Sequence, residues 1–215
     1  MGSAFPRLHV ITDARPGRDA VGVVGAAVAA ATSAGTPHAL AVQVRVEDEV
    51  TDRTAYEFGL AVAGICRPAG VLLLVNDRLD VAVAIDADGA HVGADDLPVP
   101  AARGVLGATA VLGATCREPD SARAAVAAGA TYLGVGPAFR TSTKAGLPDP
   151  LGLAGIAAVA AALGTTPVIA IGGVTAGAVP DLRTAGAHGV AVVGALAAAA
   201  DPHAATTALL TALSA

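Results

Sequence analysis

Eight short apolar runs, separated by stretches of helical length, constrain this chain more than any other feature. The runs are Leu8–Thr12, Ala39–Arg45, Val71–Val75, Gly89–Val92, Ala110–Ala114, Thr131–Gly136, Pro167–Ile171 and Gly189–Val193. Most lack apolar/polar alternation, which is the pattern of a strand buried on both faces. Between them lie Ala-rich segments, clearest at Asp19–Ala34, Asp52–Arg67, Glu118–Ala128, Leu153–Leu163 and Pro202–Leu213. The segments after the third and fourth runs are shorter. Gly35, Gly129, Gly164 and Gly186 stand where a helix C-terminus needs a left-handed residue. Strands that alternate with helices make a parallel sheet with crossovers. Eight such units predict an α/β chain folded as a single (β/α)8 TIM barrel, with residues 1–215 as one domain. It is compact beside the roughly 250 residues usual for that fold.

Composition removes several functions. Apolar residues are 54% of the chain and charged residues 14%, which excludes disorder. Two cysteines, Cys66 and Cys116, cannot make a disulfide scaffold. Aromatics at 2%, a net charge of −5 and the absence of a basic run argue against nucleic-acid partners. Residues 150–180 carry no formal charge, but Gly164-Thr165-Thr166-Pro167 and Gly172-Gly173 break the stretch, so no membrane span is expected. No basic-plus-apolar secretory segment opens the chain, so the expected location is cytoplasmic, with reduced thiols.

Against so skewed a background the rare residues stand out. The chain has one Gln (Gln43), one Asn (Asn76) and one Lys (Lys144), and its other twelve basic residues are Arg. All three singletons fall at or just after the C-terminal end of a predicted strand, where (β/α)8 barrels build their active sites. Gln43 and Arg45 are two residues apart and share a strand face. An amide suits a heterocycle, and a guanidinium fork suits phosphate. Asp77 and Asp96 lie on adjacent loops, where two carboxylates suffice for a Mg²⁺ otherwise held by water and phosphate oxygens. Helix N-capping is the alternative for both acids. His91 between them reads as structural.

The densest polar loop runs from Gly134 to Lys144. Arg140, Thr141, Ser142, Thr143 and Lys144 there form an anion clamp. Gly172-Gly173 and Val193-Gly194 end the last two predicted strands, where backbone N–H groups can approach a phosphate.

With these residues assembled, the chain resembles the thiamine-phosphate synthase family from about Leu8 to its C-terminus. The resemblance rests on an ordered set: Gln43-x-Arg45, Asn76-Asp77-Arg78, Asp88-Gly89-x-His91-x-Gly93-x-x-Asp96, Tyr132-x-Gly134-x-Gly136-Pro137, Thr141-Ser142-Thr143-Lys144, Ile171-Gly172-Gly173-Val174 and Gly189–Val193. It implies a cytoplasmic, Mg²⁺-dependent transferase. Such an enzyme joins hydroxymethylpyrimidine diphosphate to a thiazole phosphate and releases pyrophosphate. By resemblance, Gln43, Arg45, Asn76 and Lys144 hold the pyrimidine diphosphate, Arg45 and Lys144 supplying catalytic charge. Asp77 and Asp96 hold Mg²⁺. Thr141, Ser142, Thr143, Gly172, Gly173, Val193 and Gly194 hold the thiazole phosphate, and Thr115 replaces a family Ser. Partners are these small molecules, with assembly into a homo-oligomer left open.

Departures from the family pattern are informative. Glu47 replaces a usual Lys, Ala94 a usual Gln, and Gly194 a usual Ser. A related thiazole tautomerase uses a His where Arg117 stands. A non-catalytic paralogue that binds thiazole or thiamine phosphate is the alternative from another class. Glu47 either pairs with Arg45 on one strand face or lies past the strand end in a solvated acidic turn, Glu47-Asp48-Glu49. The acidic run favours the turn.

Overall fold

The computed structural model describes residues 5–143 and 146–214. Eight parallel strands close into a barrel in chain order. They are β1 (Leu8–Ile11), β2 (Leu40–Val44), β3 (Leu72–Asn76), β4 (Gly89–Val92), β5 (Val111–Cys116), β6 (Tyr132–Val135), β7 (Val168–Ile171) and β8 (Gly189–Val192). Closure is made by β1 on β8, with Leu8 opposite Val190. The helices are α1 (Ala20–Ser33), α2 (Asp52–Ala69), α3 (Leu79–Ala84), α4 (Val99–Leu106), α5 (Pro119–Ala127), α6 (Gly152–Ala161), α7 (Val179–Thr184), α8 (Gly194–Ala197) and α9 (Pro202–Ser214). The predicted (β/α)8 barrel is therefore what forms, with strand ends shifted by one or two residues. Among the described residues no helix is long and apolar enough to cross a membrane.

Local chemistry explains the helix limits. The Asp19 carboxylate accepts from the Gly22 N–H at 2.8 Å to start α1, and Thr51 accepts from Thr54 N–H to start α2. Gly70, at φ 67°, ends α2 in the left-handed region, which an L side chain rarely adopts. The main apolar layer lies between sheet and helices, where Ala side chains let the helices pack close. Both cysteines are buried there and unpaired.

The scarcity of Lys acquires a structural reason here. Arg103 donates to the carbonyls of Gly107, Ala110 and Gly129, and Arg183 to those of Ala187 and His188. Arg67 donates to Ile85 and Asp86, and Arg7 to Leu213. One guanidinium offers five donors in a planar fork, so a single side chain satisfies several loop carbonyls. Lysine has no such geometry.

The barrel interior is a second, smaller cluster of Ile11, Leu74, Tyr132, Ile169 and Ala191, with Leu72, Val111, Ile171 and Val193 packed against it. Side chains two apart share a strand face. The interior rows therefore continue through Leu72-Leu74-Asn76, Val111-Gly113-Thr115 and Ala191-Val193 to the C-terminal mouth.

Candidate active site

The mouth has two halves. Strands β2–β4 build the first. Gln43 is 4% exposed, inside the barrel, and its Nε2 donates to Tyr132 Oη at 3.4 Å. Arg45 follows β2, and its N–H and C=O both bond the Thr12 hydroxyl at 2.7 Å, which fastens it to the end of β1. Asn76 is the last residue of β3 rather than the first after it. Its side-chain amide donates to Asp77.

Asp77 and Asp96 flank the end of β4. Asn76 is in register with His91, and Asp77 N–H donates to the His91 carbonyl at 2.9 Å. Asp96 Oδ2 accepts from the Gly93 N–H at 2.6 Å, two residues past His91. A side chain at Gly93 would crowd that carboxylate. Neither acid occupies the N-cap position: Arg78 precedes α3 and Pro98 precedes α4. Asp77 instead adopts a left-handed φ of 63°. No group of three or more His, Cys, Asp or Glu that could hold a metal forms among the described residues. Two carboxylates nevertheless match what Mg²⁺ takes from a protein.

Glu47 corrects an expectation. The strand does end before it, at Val44, and Asp48 and Glu49 are exposed. Glu47 itself is half-buried, and its Oε1 lies 3.2 Å from Arg45 Nη1. The turn opens only at Glu47, whose carbonyl accepts from the Val50 N–H at 3.1 Å, so the acid stays two residues from Arg45 and is not free in solvent. Arg78, on the neighbouring β3 end, pairs with Asp52 at 2.6 Å. Sequence reasoning missed the β1 end altogether. There Asp13, 4% exposed, holds Arg15 in a bidentate pair at 2.6 Å, with Arg18 at 3.5 Å. The Arg15 guanidinium keeps the Asp13 carboxyl below the usual carboxylate range. The Thr-Asp-Ala-Arg run at 12–15 was the available signal.

Strands β6–β8 build the other half. The loop after β6 lies on the end of β7: Ala138 N–H donates to Ile171 O at 2.7 Å, and Phe139 N–H to Gly172 O at 2.9 Å. Gly172 and Gly173 have φ of 92° and 67°. A Cβ on Gly172 would come 2.6 Å from Pro137 Cβ, and one on Gly173 would overlap the Arg140 carbonyl. Thr143 Oγ1 would lie 3.1 Å from a Cβ on Gly194, so the hydroxyl loop reaches the start of α8. Thr143 N–H and Oγ1 both bond Thr141 Oγ1, at 3.3 and 3.2 Å. Thr141, Ser142, Thr143, Gly172, Gly173, Val193 and Gly194 are thus brought together. Lys144 lies outside the described residues.

Between the halves runs a buried polar column. His91 Nδ1 is 3.0 Å from Tyr132 Oη, and His91 Nε2 is 2.9 Å from Thr115 Oγ1. Thr115 belongs to β5 and is exposed at the mouth. Burial pushes the His91 imidazole down to about 4 and His9, beneath it, to about 3, so both are neutral near pH 7. Arg117, where a tautomerase has its His, is tied to the carbonyls of Gly136 and Asp149 at 2.7 and 2.8 Å. A guanidinium does not exchange protons near neutral pH.

Known proteins resemble this chain over nearly its whole length. Residues 8–196 fit the family model described as thiamine monophosphate synthase. Thiamine-phosphate synthases of Salinispora arenicola and Salinispora tropica are 60% and 58% identical over 98% of this chain and 99% of theirs. A solved structure of thiamine phosphate pyrophosphorylase from Pyrococcus furiosus superposes with TM-score 0.83 at 31% identity, covering 97% of this chain and 95% of that one. The chain belongs to the thiamine-phosphate synthase family, transferases that couple a pyrimidine and a thiazole moiety to form thiamine phosphate.

Proposed function

We propose that the two halves of the mouth divide the two substrates between them. Hydroxymethylpyrimidine diphosphate takes the β2–β4 half, and the thiazole phosphate takes the β6–β8 half. The observation that carries this reading is the pairing on one rim of a carboxylate-and-guanidinium cluster with a hydroxyl-and-glycine cup. Gln43 and Asn76 offer amides to the pyrimidine. Arg45 faces the diphosphate. Thr141, Ser142, Thr143 and the backbone of Gly172, Gly173, Val193 and Gly194 enclose the thiazole phosphate, the leading N–H groups of a helix having no intrahelical partner. Thr115 stands between the halves, and Lys144 follows the hydroxyl loop.

A metal-assisted reaction is consistent with the family, and the donor set fits Mg²⁺. Asp77 and Asp96 offer hard oxygen ligands at the end of β4, and neither is an N-cap residue. Bound there, Mg²⁺ would supply positive charge to the departing diphosphate oxygens. The chain's own residues orient the two substrates. Loss of pyrophosphate leaves a stabilised pyrimidine cation, and the thiazole nitrogen captures it, so the reaction demands positioning and charge neutralisation rather than a protein nucleophile. The paucity of His is no obstacle. We further propose that residues 1–215 act as one catalytic unit in the cytoplasm. Incubation with both substrates and Mg²⁺ should release thiamine phosphate and pyrophosphate in equal amounts. Absence of both products in the presence of Mg²⁺ would refute the assignment.

A further inference from the structure

The buried column that joins the two halves has a direction. Its members are Gln43 Nε2, Tyr132 Oη, His91 Nδ1 and Nε2, and Thr115 Oγ1, at successive separations of 3.4, 3.0 and 2.9 Å. A neutral imidazole has one donor and one acceptor nitrogen. The Tyr132 hydroxyl, 2% exposed, must send its hydrogen to one of these partners. Only two arrangements satisfy every member. In one, Gln43 donates to Tyr132, Tyr132 to His91 Nδ1, and His91 Nε2–H to Thr115. In the other each bond reverses and the Gln43 amide turns over. The amide nitrogen faces Tyr132 here, which selects the first.

The barrel is shaped to seat this column. Gly113 and Gly134 stand on the interior faces of β5 and β6. A Cβ on Gly113 would overlap both the Tyr132 ring and the His91 imidazole, and one on Gly134 would come 3.0 Å from His91 Cε1. Two strands give up interior side chains at the level where the pair lies. Tyr132 is packed besides by His9 and Phe5, at ring-centroid distances of 5.2 Å each.

We propose that Tyr132 and His91 are positioning residues that fix the hydrogen-bond polarity of Gln43 toward the pyrimidine and of Thr115 at the mouth. Gln43 then presents Oε1, an acceptor, to the pyrimidine's exocyclic amino group. Thr115 accepts from His91 and keeps its own hydrogen to donate to an anionic or ring acceptor in the mouth. The column discriminates in favour of a pyrimidine that offers a donor at that position, and against one with a carbonyl there. This rests on the reading that Gln43 contacts the pyrimidine.

The first test is the His91 tautomer, read by ¹⁵N NMR of ¹⁵N-histidine-labelled wild-type protein at neutral pH, with His91→Gln identifying the resonance. The Nε2–H form is expected. The Nδ1–H form would overturn the polarity. The second test is Tyr132→Phe, which removes one oxygen and keeps the ring. KM for the pyrimidine diphosphate should rise about tenfold, the scale of one buried hydrogen bond, with KM for the thiazole phosphate unchanged. Gln43→Ala, measured alongside, separates the failures. If it raises the pyrimidine KM while Tyr132→Phe does not, the positioning role is wrong and the substrate assignment stands. If Gln43→Ala leaves that KM unmoved, both are wrong.

Discussion

The two halves of the mouth meet their charge requirements in opposite ways. On the β2–β4 side the polar groups are side chains already engaged with one another: Arg45 with Glu47, Arg78 with Asp52, Asn76 with Asp77, Asp96 with a backbone N–H. On the β6–β8 side the cup is built from glycines in left-handed backbone and from short hydroxyls. Side-chain pairs are adjustable and screened by solvent, and their net contribution to stability is small. Backbone held at positive φ is fixed when the barrel closes. The diphosphate half can therefore tolerate substitution that the phosphate cup cannot.

Breaking the cup should have the largest effect. Gly173→Ala forces an L side chain to a φ of 67° and drives its Cβ into the Arg140 carbonyl. KM for the thiazole phosphate should rise by roughly 100-fold, the equivalent of about 3 kcal/mol of strain and lost contact, while KM for the pyrimidine diphosphate stays within about twofold. Steady-state kinetics with each substrate varied in turn checks this.

Asp77→Asn should come next. Turnover should fall by about 10- to 100-fold, and half-saturation by Mg²⁺ should move to higher concentration, as expected for loss of one carboxylate ligand. Calorimetry should show a melting temperature within about 2 °C of wild type, since surface changes alter stability little. A large drop in melting temperature with unchanged turnover would assign Asp77 to structure alone.

The column between the halves makes a pH prediction. His9 and His91 have folded pKa values of about 3 and about 4, below the unfolded value near 6.5. The unfolded chain binds protons first as pH falls. Stability from these two groups is fully present above about pH 6.5 and declines as pH drops toward 4 and then 3, on the order of 3 kcal/mol for His91 alone. His9 Nε2 has no hydrogen-bond partner among the described residues, so replacing that ring forfeits no bond at that nitrogen. Urea midpoints in wild type should hold level from pH 7.5 to about 6.5 and fall from there to pH 4. His91→Gln should flatten the slope.

Glu47→Lys should have the smallest effect. It removes the partner of Arg45 and adds a cation beside a diphosphate. The pair is partly exposed, so KM for the pyrimidine diphosphate should fall about three- to tenfold, less than full Coulomb attraction would give.

How much of this was readable in advance differs between fold and site. The barrel was legible because each strand is an apolar run and each helix an Ala-rich stretch, and both signals are local. The rim residues Gln43, Asn76, Thr141–Thr143 and Gly172-Gly173 were legible because barrels place their chemistry at strand ends. Glu47 was misread because the acidic run Glu47-Asp48-Glu49 outweighed its two-residue spacing from Arg45; the turn opens only at Glu47, so the acid stays beside the guanidinium. The Asp13–Arg15 pair was missed because a short loop between two ordinary elements reads as solvent-exposed punctuation. The column was missed for a different reason. His91 and Tyr132 are 41 residues apart, and only register across β4, β5 and β6 brings them together with Thr115.

The division of substrates between the halves is tested most directly by one crossed measurement, the KM of both substrates in wild type, Gly173→Ala and Glu47→Lys. Gly173→Ala should move only the thiazole phosphate value, upward. Glu47→Lys should move only the pyrimidine diphosphate value, downward. If either substitution shifts both KM values in parallel, the halves do not serve separate substrates and the account fails.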